Sequence, residues 1–131
     1  MLVLDTCALI FDSLDPERLS KKAKAAIAQA ADAGVLACCD ISFWEIAMLV
    51  SKGRLDPGTD AQKFIQLVLA ARNIKVLPLT PEIAARSAQP DFCPNGDPAD
   101  KLIAASTLLT KSKLVTSDRK LAAVDGLHIV W

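Results

Sequence analysis

The sequence predicts a three-layer α/β domain on a mostly parallel sheet of roughly five strands. Two observations carry that expectation. Short apolar runs of strand character alternate with longer stretches of helical pattern along the whole chain. Strands separated by helices pair in parallel, and the helices then cover both faces of the sheet. Composition agrees: hydrophobic residues make up 52% and aromatics only 5%, so the core is built mainly from Leu, Ile, Val and Ala. A length of 131 residues suits one domain spanning residues 1–131 and supports a core without disulfides.

In order, Leu2-Val3-Leu4 reads as a buried strand. Residues 20–33 are rich in the helix formers Ala and Lys, and Gly34 ends that helix. Val35 to Cys39 is a second strand, residues 42–52 a helix stopped by Gly53, and 55–60 a turn-rich segment. A helix over about 61–72 puts Ala61, Phe64, Ile65 and Val68 on one face. Ile74 to Leu77 is a third strand. Thr80-Pro81-Glu82 starts a helix that ends near Ser87, with Thr at the N-cap and Pro at the first helical position. Residues 89–96 form the longest loop, and Asp97-Pro98 opens a helix reaching about Lys111. Leu114 to Thr116 is a fourth strand, Asp118 to Val124 a short helix, and Leu127 to Val130 a fifth strand.

Fifteen basic and fifteen acidic side chains give zero net charge. Long-range attraction to polyanions is therefore absent, and a nucleic-acid reading must rest on a local site. Neutrality also leaves self-association unopposed. The four cysteines (Cys7, Cys38, Cys39, Cys93) form no C-x-x-C pair, and Cys38 and Cys39 point to opposite faces of a strand. Met1 leads straight into the first strand, without a basic segment and a long apolar segment of a leader. No run reaches the ~20 apolar residues of a membrane span, so the expected setting is the cytoplasm, with reduced thiols and no membrane.

The positions of the acids carry the functional information. Ligands of an open parallel sheet bind outside the carboxyl ends of its strands. Asp5 follows strand 1, Glu45 lies in the first turn of the helix after strand 2, Asp118 follows strand 4, and Asp100 begins the helix leading into strand 4. These acids converge on one rim. Each helix-start acid also has a structural explanation. Ser42-Phe43-Trp44-Glu45 fits a capping box, Asp97 an N-cap, Asp100 a first-turn acid and Asp118 a helix start. Asp5, at the end of an apolar strand, has none. Glu45 is the only polar residue in the run Phe43 to Val50, so its helix is expected to be buried and its carboxylate paired, metal-bound or desolvated.

Clustered carboxylates repel one another unless cations fill the space between them. Oxygen donors with no His or Cys at ligand spacing suit Mg²⁺ or Mn²⁺, and such ions activate water for displacement at phosphorus. The only histidine, His128, sits in the last apolar strand, which removes Ser-His-Asp hydrolysis and imidazole-based ribonuclease chemistry. Glycine-rich phosphate loops are absent. Asp5 before Thr6-Cys7 leaves an alternative, an aspartyl-phosphate phosphatase, although Cys7 stands where such enzymes carry a second Asp. Lys111, Lys113, Arg119 and Lys120, around strand 4, form either an ordinary solvated surface or a rim that steers phosphate toward the metal site. Phe43, Trp44 and Met48, with the apolar face of the 61–72 helix, exceed what a small sheet needs for cover and point to a protein interface.

Four segments taken in order, LVLDTCAL, ISFWEIAML, NGDPADKLIAAST and LVTSDRKL, resemble the PIN domain and, more closely, the VapC-type toxins of toxin–antitoxin pairs. The resemblance spans nearly the whole chain. It implies an endoribonuclease that cuts single-stranded or looped RNA with Mg²⁺ or Mn²⁺. It also implies a homodimer held inactive by a VapB-type antitoxin whose tail occupies a groove beside the site. Carried over by motif, Asp5, Glu45, Asp100 and Asp118 are the catalytic acids. Asp5, Asp100, Asp118 and Asp97 would hold metal, with Thr6 and Thr116 in support. Lys101 departs from the Arg more often found there. A non-catalytic interaction module of PIN shape is the remaining alternative.

Overall fold

The computed structural model describes residues 1–131. Five short strands, β1 (Leu2–Leu4), β2 (Leu36–Cys39), β3 (Lys75–Leu77), β4 (Lys113–Val115) and β5 (His128–Val130), form one sheet in the order β3-β2-β1-β4-β5. Every pairing is parallel. The helices are α1 (Thr6–Leu14), α2 (Lys21–Asp32), α3 (Ile41–Ser51), α4 (Ala61–Ala71), α5 (Pro81–Ser87), α6 (Pro98–Leu109) and α7 (Arg119–Ala122), with a 3₁₀ turn at Pro16–Arg18.

The central strands β1 and β2 are wholly apolar because both of their faces are covered, and successive residues feed two different cores. Leu2, Leu4, Leu36 and Cys38 pack with Leu9, Ile27, Ile46 and Phe64 from α1 to α4. Val3, Ala37, Cys39 and Leu114 pack with Ile83, Ile103 and Leu121 from α5 to α7. The three-layer α/β expectation holds, and Cys38 and Cys39 do part to opposite faces. All four cysteines are free thiols. No helix is long and apolar enough to cross a membrane.

Helix α1 is the element that the sequence pattern did not announce. Its segment TCALIFDSL contains Thr, Cys, Phe and Ser, which are indifferent helix formers. What starts it is Asp5, whose carboxylate accepts the Ala8 amide at 2.7 Å. Asp5 is therefore an N-cap as well as a strand-end acid, which corrects the expectation that it has no structural role.

Helix α3 begins at Ile41, so Glu45 lies in its second turn and is not half of a capping box. Asp40 at that N-cap instead accepts the Leu79 amide, tying the end of β2 to the segment after β3. Nor is α3 buried on most of its surface. Only Ser42 and Ile46 are buried along it, and Trp44 is 61% exposed.

Candidate active site

The carboxyl edge of the sheet gathers the acids because consecutive parallel strands end in register. Leu4 pairs with Cys38 on one side and Val115 on the other, so the residues after β1, β2 and β4 emerge side by side. Asp5 leaves from the centre of that edge and stays buried, at 8% exposure. Burial pushes its carboxyl pKa up, an effect partly offset by hydrogen bonds from Thr116 and the Ala8 amide. Asp100 and Asp118 raise it further.

Glu45 reaches the same rim from α3. Thr6, the first residue of α1, donates its hydroxyl to Glu45 Oε1 and also bonds the Ser42 hydroxyl at 2.8 Å. Ser42 is fully buried, so this link clamps α1 to α3 and orients the carboxylate between them. Burial raises the Glu45 pKa, Thr6 opposes the shift, and Asp97, Asp100 and Asp5 add to it.

Asp97 and Asp100 form a reciprocal cap at the start of α6. Asp97 Oδ1 accepts the Asp100 amide at 2.8 Å, and Asp100 Oδ2 faces the Asp97 amide at 3.4 Å. Burial and then Asp97 raise the Asp100 pKa, while the nearby Lys120 lowers it. Gly96 sets the approach of this turn. A Cβ there would stand 2.6 Å from Cys93 Sγ and 3.2 Å from Asp100 Cβ, so only glycine lets the preceding loop close on the acid. Asp118 caps α7 through the Lys120 amide at 2.9 Å, and its own amide is held by the Thr116 hydroxyl at 3.0 Å. Thr116, almost wholly buried at 1% exposure, thus links Asp5 and Asp118.

Asp5, Glu45, Asp100 and Asp118 come from four elements distant in sequence, and each of three of them senses the charge of others. The only two ion pairs of the molecule, Lys24–Glu17 and Arg72–Asp12, lie outside the cluster. No three His, Cys, Asp or Glu side chains are gathered closely enough to hold an ion by themselves. Asp5, Asp97, Asp100 and Asp118 are each engaged as caps, which keeps their carboxylates at their own helix ends. The donor set still fits a hard divalent cation. It is all oxygen, it repels itself, and Mg²⁺ takes only one or two carboxylates directly while keeping several waters. The Cys7 thiol is pushed up to about 11 by partial desolvation and then by Asp5, Glu45 and Asp100, so it is a poor thiolate donor.

The basic residues divide. Arg119 and Lys120 open α7 beside Asp118, at the acid rim. Lys111 and Lys113 lie before and at the start of β4, at the amino end of the sheet. There they line a separate cleft of about 340 Å³ with exposed His128. The grouping of four bases around strand 4 is thereby corrected: a parallel strand carries its two ends to opposite rims. Ser42 is the supporting residue that the sequence did not single out; its spacing to Glu45 suggested a cap and concealed a contact with Thr6.

The PIN domain family model matches residues 2–127. The chain belongs to the PIN domain family. Over 121 residues this PIN domain is 35% identical to ribonuclease VapC22 of Mycobacterium tuberculosis (strain ATCC 25618 / H37Rv), covering 92% of the chain and 88% of that relative. Its fold matches the crystal structure of VapBC2 from Rickettsia felis bound to a DNA fragment from the promoter (TM-score 0.73, 15% identity, 98% of this chain and 96% of that one). It also matches DNA-bound VapBC from Salmonella typhimurium (TM-score 0.69, 16% identity, 98% and 95% covered). A toxin–antitoxin complex from Klebsiella pneumoniae gives a TM-score of 0.61 at 19% identity, with 97% and 95% covered.

Proposed function

We propose that this PIN domain is an endoribonuclease toxin that hydrolyses a phosphodiester of single-stranded or looped RNA. In this reading it uses Mg²⁺ or Mn²⁺ and is neutralised by a VapB-type antitoxin. The observation that carries the reading is the meeting of Asp5, Glu45, Asp100 and Asp118 from four elements at one rim of a parallel sheet, with the pKa values of Asp5, Glu45 and Asp100 raised and no ion pair to balance the acids. Its likeness to a ribonuclease relative supports the substrate class.

Asp5, Asp100 and Asp118 are assigned to hold the cation, with Asp97 at its margin. When bound, such an ion supplies a Lewis acid that lowers the pKa of a water and steadies charge on the phosphoryl oxygens. The rest of the work falls to the chain. Thr6 engages Oε1 of Glu45, so Oε2 is the atom that would accept the proton lost by the attacking water. Burial raises the Glu45 pKa, which makes this carboxylate a stronger base toward that proton. Thr116 orients Asp5 and Asp118 together. Arg119 and Lys120 attract and position the RNA backbone at the rim.

An antitoxin and a second copy of the chain are the proposed protein partners. The exposed Trp44 on α3 and Leu67 on α4, 61% and 59% accessible, are large apolar side chains that such contacts would cover. The test is incubation of purified protein with tRNA in Mg²⁺, in Mn²⁺ and in EDTA, beside Asp100→Asn. Discrete cuts that need metal and Asp100 are expected. Equal cutting by Asp100→Asn, or cutting in EDTA, would overturn the proposal.

A further inference from the structure

Beside the acid rim, and sharing only Lys120 with the proposed chemistry, lies a cleft of about 430 Å³ between the loop after α5 and helix α7. Resting on the ribonuclease reading, we infer that this cleft seats an unpaired nucleotide of the RNA next to the scissile phosphate. Arg86 and Lys120 would contact phosphate, and Asn95, Asp91 and Asp125 the base.

Position is the first argument. Lys120 both lines the cleft and donates its backbone amide to Asp118 Oδ1 at 2.9 Å, so the cleft opens directly beside the acid cluster. The same loop carries Cys93, whose Sγ would lie 2.6 Å from a Cβ at Gly96, with Asp100 Cβ at 3.2 Å. One wall of the cleft is thus packed directly on the helix start that presents Asp100. A strand whose phosphate lies at the acids has its neighbouring nucleotide in reach of this wall.

The lining chemistry is the second argument. Two cations, two carboxylates and an amide do not suit a plain anion such as inorganic phosphate, which Asp91 and Asp125 would repel. They suit a ligand that is anionic at one end and offers hydrogen-bond donors at the other. A nucleotide is such a ligand, because carboxylates and Asn accept from amino groups of the bases while Arg and Lys take phosphate. A base-paired duplex would bury those edges against its partner strand, so the cleft calls for an unpaired nucleotide.

Preorganisation is the third. Arg86 is exposed, yet it is not free to wander. Its guanidinium lies over the Phe92 ring, 5.0 Å from the centroid, and one of its nitrogens donates to Gln89 Oε1 at 2.7 Å. Phe92 itself is buried, so the ring acts as a fixed floor under the cation. An arginine held this way loses little freedom on binding phosphate.

The test measures binding without cleavage, by fluorescence anisotropy of a labelled random-sequence hexaribonucleotide in EDTA. Wild type is compared with Arg86→Gln, Asn95→Ala and the opposite-rim control Lys113→Gln, with melting temperatures taken on every variant. Losing a charged hydrogen-bonding partner predicts about tenfold weaker binding for Arg86→Gln, a smaller loss for Asn95→Ala, and none for Lys113→Gln. Unchanged affinity in both cleft variants would overturn the inference while leaving metal-dependent tRNA cleavage by wild type, and with it the ribonuclease reading, intact. An equal loss in Lys113→Gln would overturn it too, because the effect would then be general charge. If wild type cuts no RNA and binds no hexamer, the reading and the inference fall together.

Discussion

Asp5 performs two tasks that a single substitution can separate. Its Oδ1 caps α1 through the Ala8 amide, and its charge belongs to a cluster of acids. Asn keeps the accepting oxygen and removes the charge, whereas Ala removes both. Losing a cap costs about 1 kcal/mol, which for a domain of this size lowers Tm by about 4 °C. Burial and two neighbouring acids raise the Asp5 pKa, so near neutrality its ionised form destabilises the metal-free fold. In EDTA at pH 7, Asp5→Asn should therefore melt no lower than wild type, and Asp5→Ala about 4 °C below Asp5→Asn. Adding Mn²⁺ should raise the Tm of wild type and leave Asp5→Asn unmoved. Differential scanning calorimetry reads all three. A Tm for Asp5→Asn below that of Asp5→Ala would refute the capping argument, and equal Mn²⁺ shifts in wild type and Asp5→Asn would refute the metal assignment.

Three further outcomes are expected. Thr6→Val leaves buried Ser42 and half-buried Glu45 without their shared partner, costing about 1–3 kcal/mol and most of the cleavage activity. Thr6→Ser should restore both, as urea titration and an RNA cleavage assay would show. Cys38 and Cys39, buried and pushed up to about 12 and about 11, should resist a thiol reagent at pH 8 in the folded protein and react once it is unfolded in urea. Prompt labelling of both in the native state would contradict the packing on the two faces of β2. Asp5, Glu45 and Asp100 are all raised, so the folded chain holds protons that the unfolded chain has released. Their contribution is neutral below the unfolded values of 3.8 and 4.5 and turns unfavourable as pH climbs through the folded ones. In EDTA the urea midpoint of Asp5→Asn should gain on wild type as pH rises from below the unfolded value of 3.8 to neutrality, and a narrowing gap would reverse the sign of the argument.

Alternation of apolar runs with helical stretches was enough to establish a parallel α/β sheet, because strands covered on both faces have no reason to carry polar residues. Helix ends were legible where the chemistry is local: Gly34 after α2 and Thr80-Pro81 before α5 act through their own backbone neighbours. The placement of Asp5 and Asp118 at the carboxyl rim was legible as well, since the residues after a parallel strand emerge at a predictable edge.

Tertiary structure alone decided what each acid touches. Asp5 caps a helix whose segment has no strong helical signature, and that helix forms because packing of Ala8 and Leu9 on the sheet outweighs weak propensity. Glu45 is positioned by Thr6, 39 residues away, a contact no local spacing encodes. Lys111 and Lys113 were separated from Arg119 and Lys120 by the direction of one three-residue strand. Periodicity reports which residues are buried and on which face. The partner that each buried polar group finds depends on how the layers come together, and that information is spread across the whole chain.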